Sequence, residues 1–338
     1  MSLIESDPSE LVDRLAREGF LLRRNGEQLS LINLANRPLP DTLRGEIGSQ
    51  RESIMLHLAD RMWPLSFNQQ RMWFIDRLQH GHSVAYNVPL ATHIRGPLDV
   101  GALSQALTML AARHAILRTT FIEHEGGSAQ RIVAPAPVQL HVEPISESAL
   151  PQRLDAEARR PFDLSTGPCW RVNLFALSHD HHVLLINQHH IINDGWSLVV
   201  MQRDLAALYD GARQGRPSDA ADPPLQFAEF ALWQRRALPA VIETALDYWQ
   251  RRLDGFAPFD LPADRPRPQR LSGHGQTYRF ALPPALTDAL RDAALGQSVT
   301  PCAGWLAIFA LLLSRLGGQD DIVVGMPFAN RRDPRSPI

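Results

Sequence analysis

Apolar residues recur at helical spacing in one set of segments and at strand spacing in another. In "LDVGALSQALTMLAARH", Leu103, Leu107 and Leu110 fall on one side of a helix. In "SLVVMQRDLAALYDG", Leu198, Met201, Leu205 and Leu208 do the same, with Gly211 beyond the end. "RTTFIEHEGG" and "AQRIVAP" read as hairpin strands around Gly126 and Gly127. "CWRVNLFAL" alternates, and "HHVLLINQHH" is a continuous apolar strand framed by polar residues. Helices are expected at 225–237, 240–253 and 284–295, and a strand near "GQTYRFAL". "CAGWLAIFALLL" predicts a buried helix over 300–315 with Thr300 as cap and Pro301 in its first turn. "DDIVVGMPFANRR" predicts a last strand running into a basic loop. The pattern is a mixed α/β protein, an α+β sandwich. Its best internal boundary is the Pro-rich connector at 213–226, so two lobes are expected, joined near 213–225.

Residues 1–60 predict a separate small unit of αββα(α) order. Asp7 is placed to cap a helix, Pro8 suits its first position and Glu10 completes a capping box. Leu11 and Leu15 share one face, and Gly19 stops the helix. Asn25-Gly26 is a hairpin turn signal that sets Arg24 opposite Glu27, Leu22 opposite Leu29 and Phe20 opposite Leu31, all on one face. Leu43, Ile47, Ile54 and Leu58 give a further helical region, which Gly45 and Gly48 are placed to divide. So small a core gains stability or purpose from a partner, and the hairpin has a free edge to offer; the alternative is an N-terminal extension packed on the main domain.

Composition narrows the function classes. The 338 residues carry a formal net charge of −2, with 44% hydrophobic and 21% charged residues. That balance is globular and gives no electrostatic footprint for nucleic acid or a membrane surface. Two cysteines, Cys169 and Cys302, point to a reducing compartment, and the acidic start lacks the features of a secretion signal, so a cytoplasmic protein is expected. The longest apolar run is too short to cross a bilayer, which needs about 20 residues.

The chemistry concentrates in "QHHIINDGWSLVV" at 188–200. A metal site has ligands to draw on in His181, His182, His189, His190 and Asp194. Strand neighbours point to opposite faces, however, so His189 and His190 do not converge on one ion, and no zinc-type spacing is present. A structural reading, two histidines satisfied at a strand end, leaves the fixed offsets of Asp194 and Gly195 unexplained. Acyl transfer is the third reading.

H-H-x-x-x-D-G at 189–195, followed by Trp196 and Ser197, resembles the signature of condensation domains of nonribosomal peptide synthetases; the shorter H-x-x-x-D is shared with chloramphenicol acetyltransferase. "LSFNQQRMWFIDRL" (65–78) with "YNVP", "RHAILRTTF" (113–121), "FAEFALWQRR" (227–236) and "GQDDIVVGMPFANRR" (318–332) are similar to the first, second and fourth motifs of that family and to the approach to its fifth. Ala115 departs from the second, where the family carries an acidic residue. The resemblance covers roughly residues 62–338.

The resemblance implies a chloramphenicol acetyltransferase-like, two-lobed V shape: 62–215 as N-terminal lobe and 216–338 as an incomplete C-terminal lobe, stopping before a later Ile-Gly-x-Phe-x-Asn-Thr motif. It implies peptide-bond formation between thioesters carried on the phosphopantetheine arms of donor and acceptor carrier proteins, with no cofactor bound by the chain itself. His190 is placed at the reacting centre, with His189 orienting the loop. Asp194 is expected to pair with Arg331, or failing that with Arg118, and the Gly195 N–H to face an oxyanion. Trp73, Trp170 and Trp196 are expected in the core or a tunnel wall. Residues 1–60 resemble the docking domains that take up the C-terminal tail of an upstream synthetase, here through the 20–31 hairpin. The alternatives are a non-catalytic platform recruiting carrier or tailoring proteins, a soluble acyl-CoA acyltransferase, and an epimerisation-type relative. Heterocyclisation relatives replace both histidines by aspartate.

Overall fold

A computed structural model describes residues 7–25, 27–59, 61–79, 81, 83–216, 223–266, 269, 275 and 277–326. It forms two compact units, one running to Glu243 and one spanning Thr244–Phe328.

The first unit begins with α1 (Pro8–Arg17). The Asp7 carboxylate accepts the Ser9 N–H at 2.9 Å, a bond two residues on rather than the expected capping box with Glu10. Leu11 and Leu15 are buried, and Gly19 follows the helix at φ 83°. Its carbonyl accepts the N–H groups of Leu34 and Ala35, so the chain beyond the hairpin folds back on the helix end.

Strands β1 (Phe20–Asn25) and β2 (Gln28–Asn33) pair with Asn25 opposite Gln28. The expected register is thus displaced by two: Leu22 faces Leu31, Arg24 faces Leu29 and Phe20 faces Asn33. A two-residue displacement leaves every side chain on its own face, so apolar alternation cannot tell the registers apart. Phe20, Leu22 and Leu29 pack with α1, α2 (Asp41–Ser49) and α3 (Arg51–Ala59); the break between these helices falls at Gln50. On the opposite face Leu21 and Ile32 join Ala16, Leu225 and Leu232 in another cluster.

Next come β3 (Trp63–Pro64), α4 (Phe67–Leu78), β4 (Asn87–Arg95), α5 (Val100–Arg113), β5 (Thr119–His124), β6 (Gly127–Ile132), β7 (Val142–Pro144), α6 (Leu150–Ala158), β8 (Trp170–Ser178), β9 (His181–His189), α7 (Gly195–Arg213) and α8 (Phe227–Ala237). The main sheet has the order β4-β9-β8-β7, antiparallel except for β7 beside β8. A smaller sheet has the order β3-β6-β5. Its hairpin turns at Glu125 and Gly126, at φ 48° and 75°.

Strand β9 is central and apolar on both faces. Leu184 and Ile186 join the core built with α5 and α7, while Val183 and Leu185 meet Leu150 near α6. Burial on both sides explains why its sequence is a continuous apolar run rather than an alternation.

Helix α9 (Pro239–Arg252) contains the division between the compact units. The second unit holds α10 (Pro284–Gly296) and α11 (Pro301–Gly317). Thr300 caps α11 by accepting the Ala303 N–H at 3.2 Å, but the helix is not the buried one expected. Within its unit α10 meets it around Gly304, and Leu311, Leu312 and Leu316 stay more than half exposed. The strands expected at "GQTYRFAL" and "DDIVVGMP" are not formed over the described residues 277–282 and 321–326. Tyr278 is 86% exposed and Val323 46%, and these segments join no sheet that would satisfy their backbone groups. No single described helix is long and apolar enough to cross a membrane.

Candidate functional site: two adjacent histidines with opposite tautomers

Strand β9 delivers His189 as its last residue, and a short 3₁₀ turn of His190–Ile192 carries the chain to α7. Backbone pairing fixes the corner. The His189 N–H donates to the Cys169 carbonyl at 2.9 Å, and the His190 N–H to the Tyr86 carbonyl at 2.8 Å. Gln69, buried on α4, reaches the Ile191 carbonyl with its amide at 3.4 Å. The motifs at 65–78 and 189–195 therefore meet at this turn.

The two imidazoles are held in different states. His190 Nδ1 lies 2.7 Å from the Asn193 carbonyl oxygen. A carbonyl only accepts, so Nδ1 carries the proton and the neutral ring keeps its lone pair on Nε2. His190 is only partly buried. His189 is the reverse: it is fully buried, and its Nδ1 accepts the Ile191 N–H at 3.1 Å. The ring proton then sits on Nε2, which is buried without an acceptor between the rings of Tyr86 and Phe162. Burial, and then the neighbouring His190, depress its pKa to about 4, so His189 is a neutral framework residue at pH 7.

Asp194 is the N-cap of α7. One carboxylate oxygen accepts both the N–H and the hydroxyl of Ser197, each at 2.7 Å. Gly195 opens the helix, and a Cβ there would meet nothing within 4 Å, so packing does not demand glycine. Arg331, the expected partner of Asp194, lies outside the described residues. Arg118 donates through Nη1 to the Val133 carbonyl at 2.6 Å, and burial opposes its charge. Trp170 is buried, Trp73 packs on the core and Trp196 is 54% exposed. Among the described residues no group of three or more histidine, cysteine or acidic side chains could hold a metal ion.

Behind the first turn of α7, His114, Gln188, Ser197 and Met201 help line a pocket of about 20 Å³, room for one water-sized molecule and not for an acyl chain. His114 itself belongs to a buried network in which the Asp204 carboxylate accepts from Arg113 at 3.0 Å and His114 at 2.9 Å. The second motif thereby ties α5 to α7.

Sequence reasoning missed the Asn193 and Tyr86 carbonyls, Ser197 and Phe162. The carbonyls carry no side-chain signal. Ser197 does, since it follows Asp194 at the offset of a helix cap.

Comparison with known proteins gives the family. A family model described as "Condensation domain" matches residues 59–337. Chondramide synthase cmdD of Chondromyces crocatus is 40% identical over 277 residues, 80% of this chain and 7% of that protein. Phosphinothricin tripeptide synthetase PhsC of Streptomyces viridochromogenes is 42% identical over 280 residues, 80% of this chain and 26% of that protein. Among solved structures, the complex of the X-domain and OxyB from teicoplanin biosynthesis matches with a TM-score of 0.70 and 36% identity, over 76% of this chain and 57% of that one. The fold is of the chloramphenicol acetyltransferase-like class, and the chain spans a small part of the synthetases it matches.

Proposed function

The chain belongs to the condensation-domain family, and from that premise we propose that it forms an amide between a donor acyl or peptidyl thioester and the α-amine of an acceptor aminoacyl thioester. Both reactants would arrive on the phosphopantetheine arms of carrier proteins. The observation that carries the reading is the 2.7 Å contact from His190 Nδ1 to the Asn193 carbonyl, which leaves Nε2 as a proton acceptor on a partly exposed ring.

In the proposed reaction the acceptor amine attacks the donor carbonyl. A C–N bond forms, and the amine proton passes to His190 Nε2. Collapse of the tetrahedral intermediate breaks the C–S bond, and the thiolate leaves and takes up the proton. An α-amine titrates near about 8 and a thiol near about 8.5, so the amine is partly free at neutral pH and the leaving group is good. Placement does the larger share: orienting two tethered reactants is worth up to about 7–11 kcal/mol. His189 supports His190 as a neutral, buried neighbour. Asp194 caps α7, Arg331 is its proposed charge partner, and Arg118 packs beside β6. The Gly195 N–H, in the first turn of α7, is placed where a helix start favours a developing oxyanion. The proposed docking unit would take an upstream synthetase's tail along the 20–31 hairpin.

Carrier-bound donor and acceptor thioesters incubated with the chain should yield dipeptide on the acceptor arm. His190→Ala should cut the rate by about 10²–10⁴-fold if His190 is the base. Undiminished product from that variant removes the assignment. A second reading, a platform that recruits a tailoring enzyme, is favoured by the similarity to an X-domain solved with OxyB; it predicts binding of such an enzyme with no dipeptide.

A further inference from the structure

The Tyr86 carbonyl holds the His190 N–H, yet Tyr86 sits in a turn and not in a strand. The ladder of β4 with β9 begins one residue later, where Asn87 faces His189. Ladder pairing therefore does not fix the carbonyl from which the corner hangs. The side chain of the next residue, Asn87, is the group in place to do so.

The Asn87 amide is doubly engaged. Its Nδ2 donates to the Ala158 carbonyl at 2.6 Å and to the Arg160 carbonyl at 2.9 Å. Carbonyl oxygens accept and never donate, so the side chain has one permitted orientation, with Nδ2 toward them. Both carbonyls lie where the chain leaves the end of α6, and the same stretch is clamped from two more strands. Asn187 of β9, fully buried, donates to the Glu157 carbonyl at 2.8 Å. Arg171 of β8 donates to the Arg160 and Pro161 carbonyls at 2.5 and 3.1 Å. The stretch ends on Phe162, whose ring meets that of His189 at 82° while the Arg171 guanidinium stacks 3.7 Å from its centroid. Each clamping side chain is also close in sequence to the histidine corner. Tyr86 precedes Asn87, His189 lies two beyond Asn187, and Cys169, whose carbonyl accepts the His189 N–H, lies two before Arg171.

We propose that Asn87 is a positioning residue for His190, acting through the Tyr86 carbonyl, with residues 157–162 as the brace it leans on. Asn87 sets where the corner starts and takes no part in the chemistry. Its loss frees Tyr86 and loosens the 3₁₀ turn. The contact from His190 Nδ1 to the Asn193 carbonyl, 2.7 Å in the intact corner, then lengthens and the ring samples its second tautomer. The effect on rate rests on the amide-forming reading; the effect on the ring does not.

The test is NMR of the His190 imidazole nitrogens in the full chain, alongside dipeptide formation from carrier-bound thioesters. The parent should show Nδ1 protonated and Nε2 bare. Asn87→Ala should give a mixed tautomer population, and so should Asn87→Asp, which keeps the shape but turns an oxygen on the two carbonyls. Both should lower kcat by about 10–100-fold with KM within about twofold of the parent. Asp99→Ala, which removes the cap of α5, is the control for general destabilisation and should leave the His190 signals in place. If the Asn87 variants do not fold, Arg171→Lys, with fewer donors for the same brace, should shift the same signals by a smaller amount. Parental His190 signals in the folded variants overturn the proposal, as does a change that Asp99→Ala reproduces. Mixed tautomers with parental kcat, or with no dipeptide even from the parent, would instead remove His190 as the base and leave Asn87 as its positioner.

Discussion

At the corner after β9, two neighbouring rings carry their protons on opposite nitrogens, and one backbone group decides each case. The Asn193 carbonyl takes the proton side of His190, and the Ile191 N–H takes the lone-pair side of His189. The depressed pKa of His189 has a consequence for stability. Between about 6.5, its value in the unfolded chain, and about 4, the unfolded state binds the proton and the folded state refuses it. Stability from this residue is therefore full above that window and falls as pH drops through it, by about 3 kcal/mol in all. Urea midpoints measured from pH 7 to pH 4 should fall, and His189→Phe should flatten the slope. An unchanged slope in that variant would show that His189 does not titrate in this way.

At the scale of elements, the start of α7 depends on Asp194 as a cap. Asp194→Ala should lose the two bonds to Ser197 and cost at least about 1 kcal/mol, while Asp194→Asn should recover the share due to the cap. The urea midpoints of the two variants would check this; equal losses would place the value of Asp194 in its charge alone. Elements like this were legible because each carries its own local code. Thr300 before Pro301 caps α11 where its sequence says, whereas the caps that Asp99 gives α5 and Ser66 with Gln69 gives α4 were not foreseen. The hairpin register was not legible, because either register keeps Phe20 and Leu22 on the same face. The histidine motif itself was readable in full, but the carbonyls that choose its tautomers were not, since every residue type has one. Nor could periodicity show that α11 is exposed: an all-round apolar helix states what it prefers to touch, not whether that surface is present.

At the scale of the molecule, the N-terminal unit is joined to the lobe by more than chain connectivity. Arg23 leaves the hairpin to donate to Glu229 at 2.6 Å and to the Pro223 and Pro224 carbonyls at 3.0 and 3.2 Å. Glu229 is nearly fully buried, and its other oxygen caps α8 at the Gln226 N–H. Arg23→Ala would strand that carboxylate and should cost about 3–5 kcal/mol. In calorimetry the parent should melt the N-terminal unit and the lobe in one transition, and the variant should show the N-terminal unit melting first. Two separate transitions in the parent would refute the coupling.

The same seam bears on transplantation. A head unit that gripped its neighbour through backbone alone could be swapped between assembly lines like an adaptor plug. This one carries Arg23 and Asp13, whose counterparts Glu229 and Arg236 belong to the recipient. A chimera that exchanges residues 1–60 and leaves α8 foreign would bury the Arg23 guanidinium without the Glu229 carboxylate that balances its charge. The cut for a working graft therefore lies beyond α8, not at the boundary of the small unit.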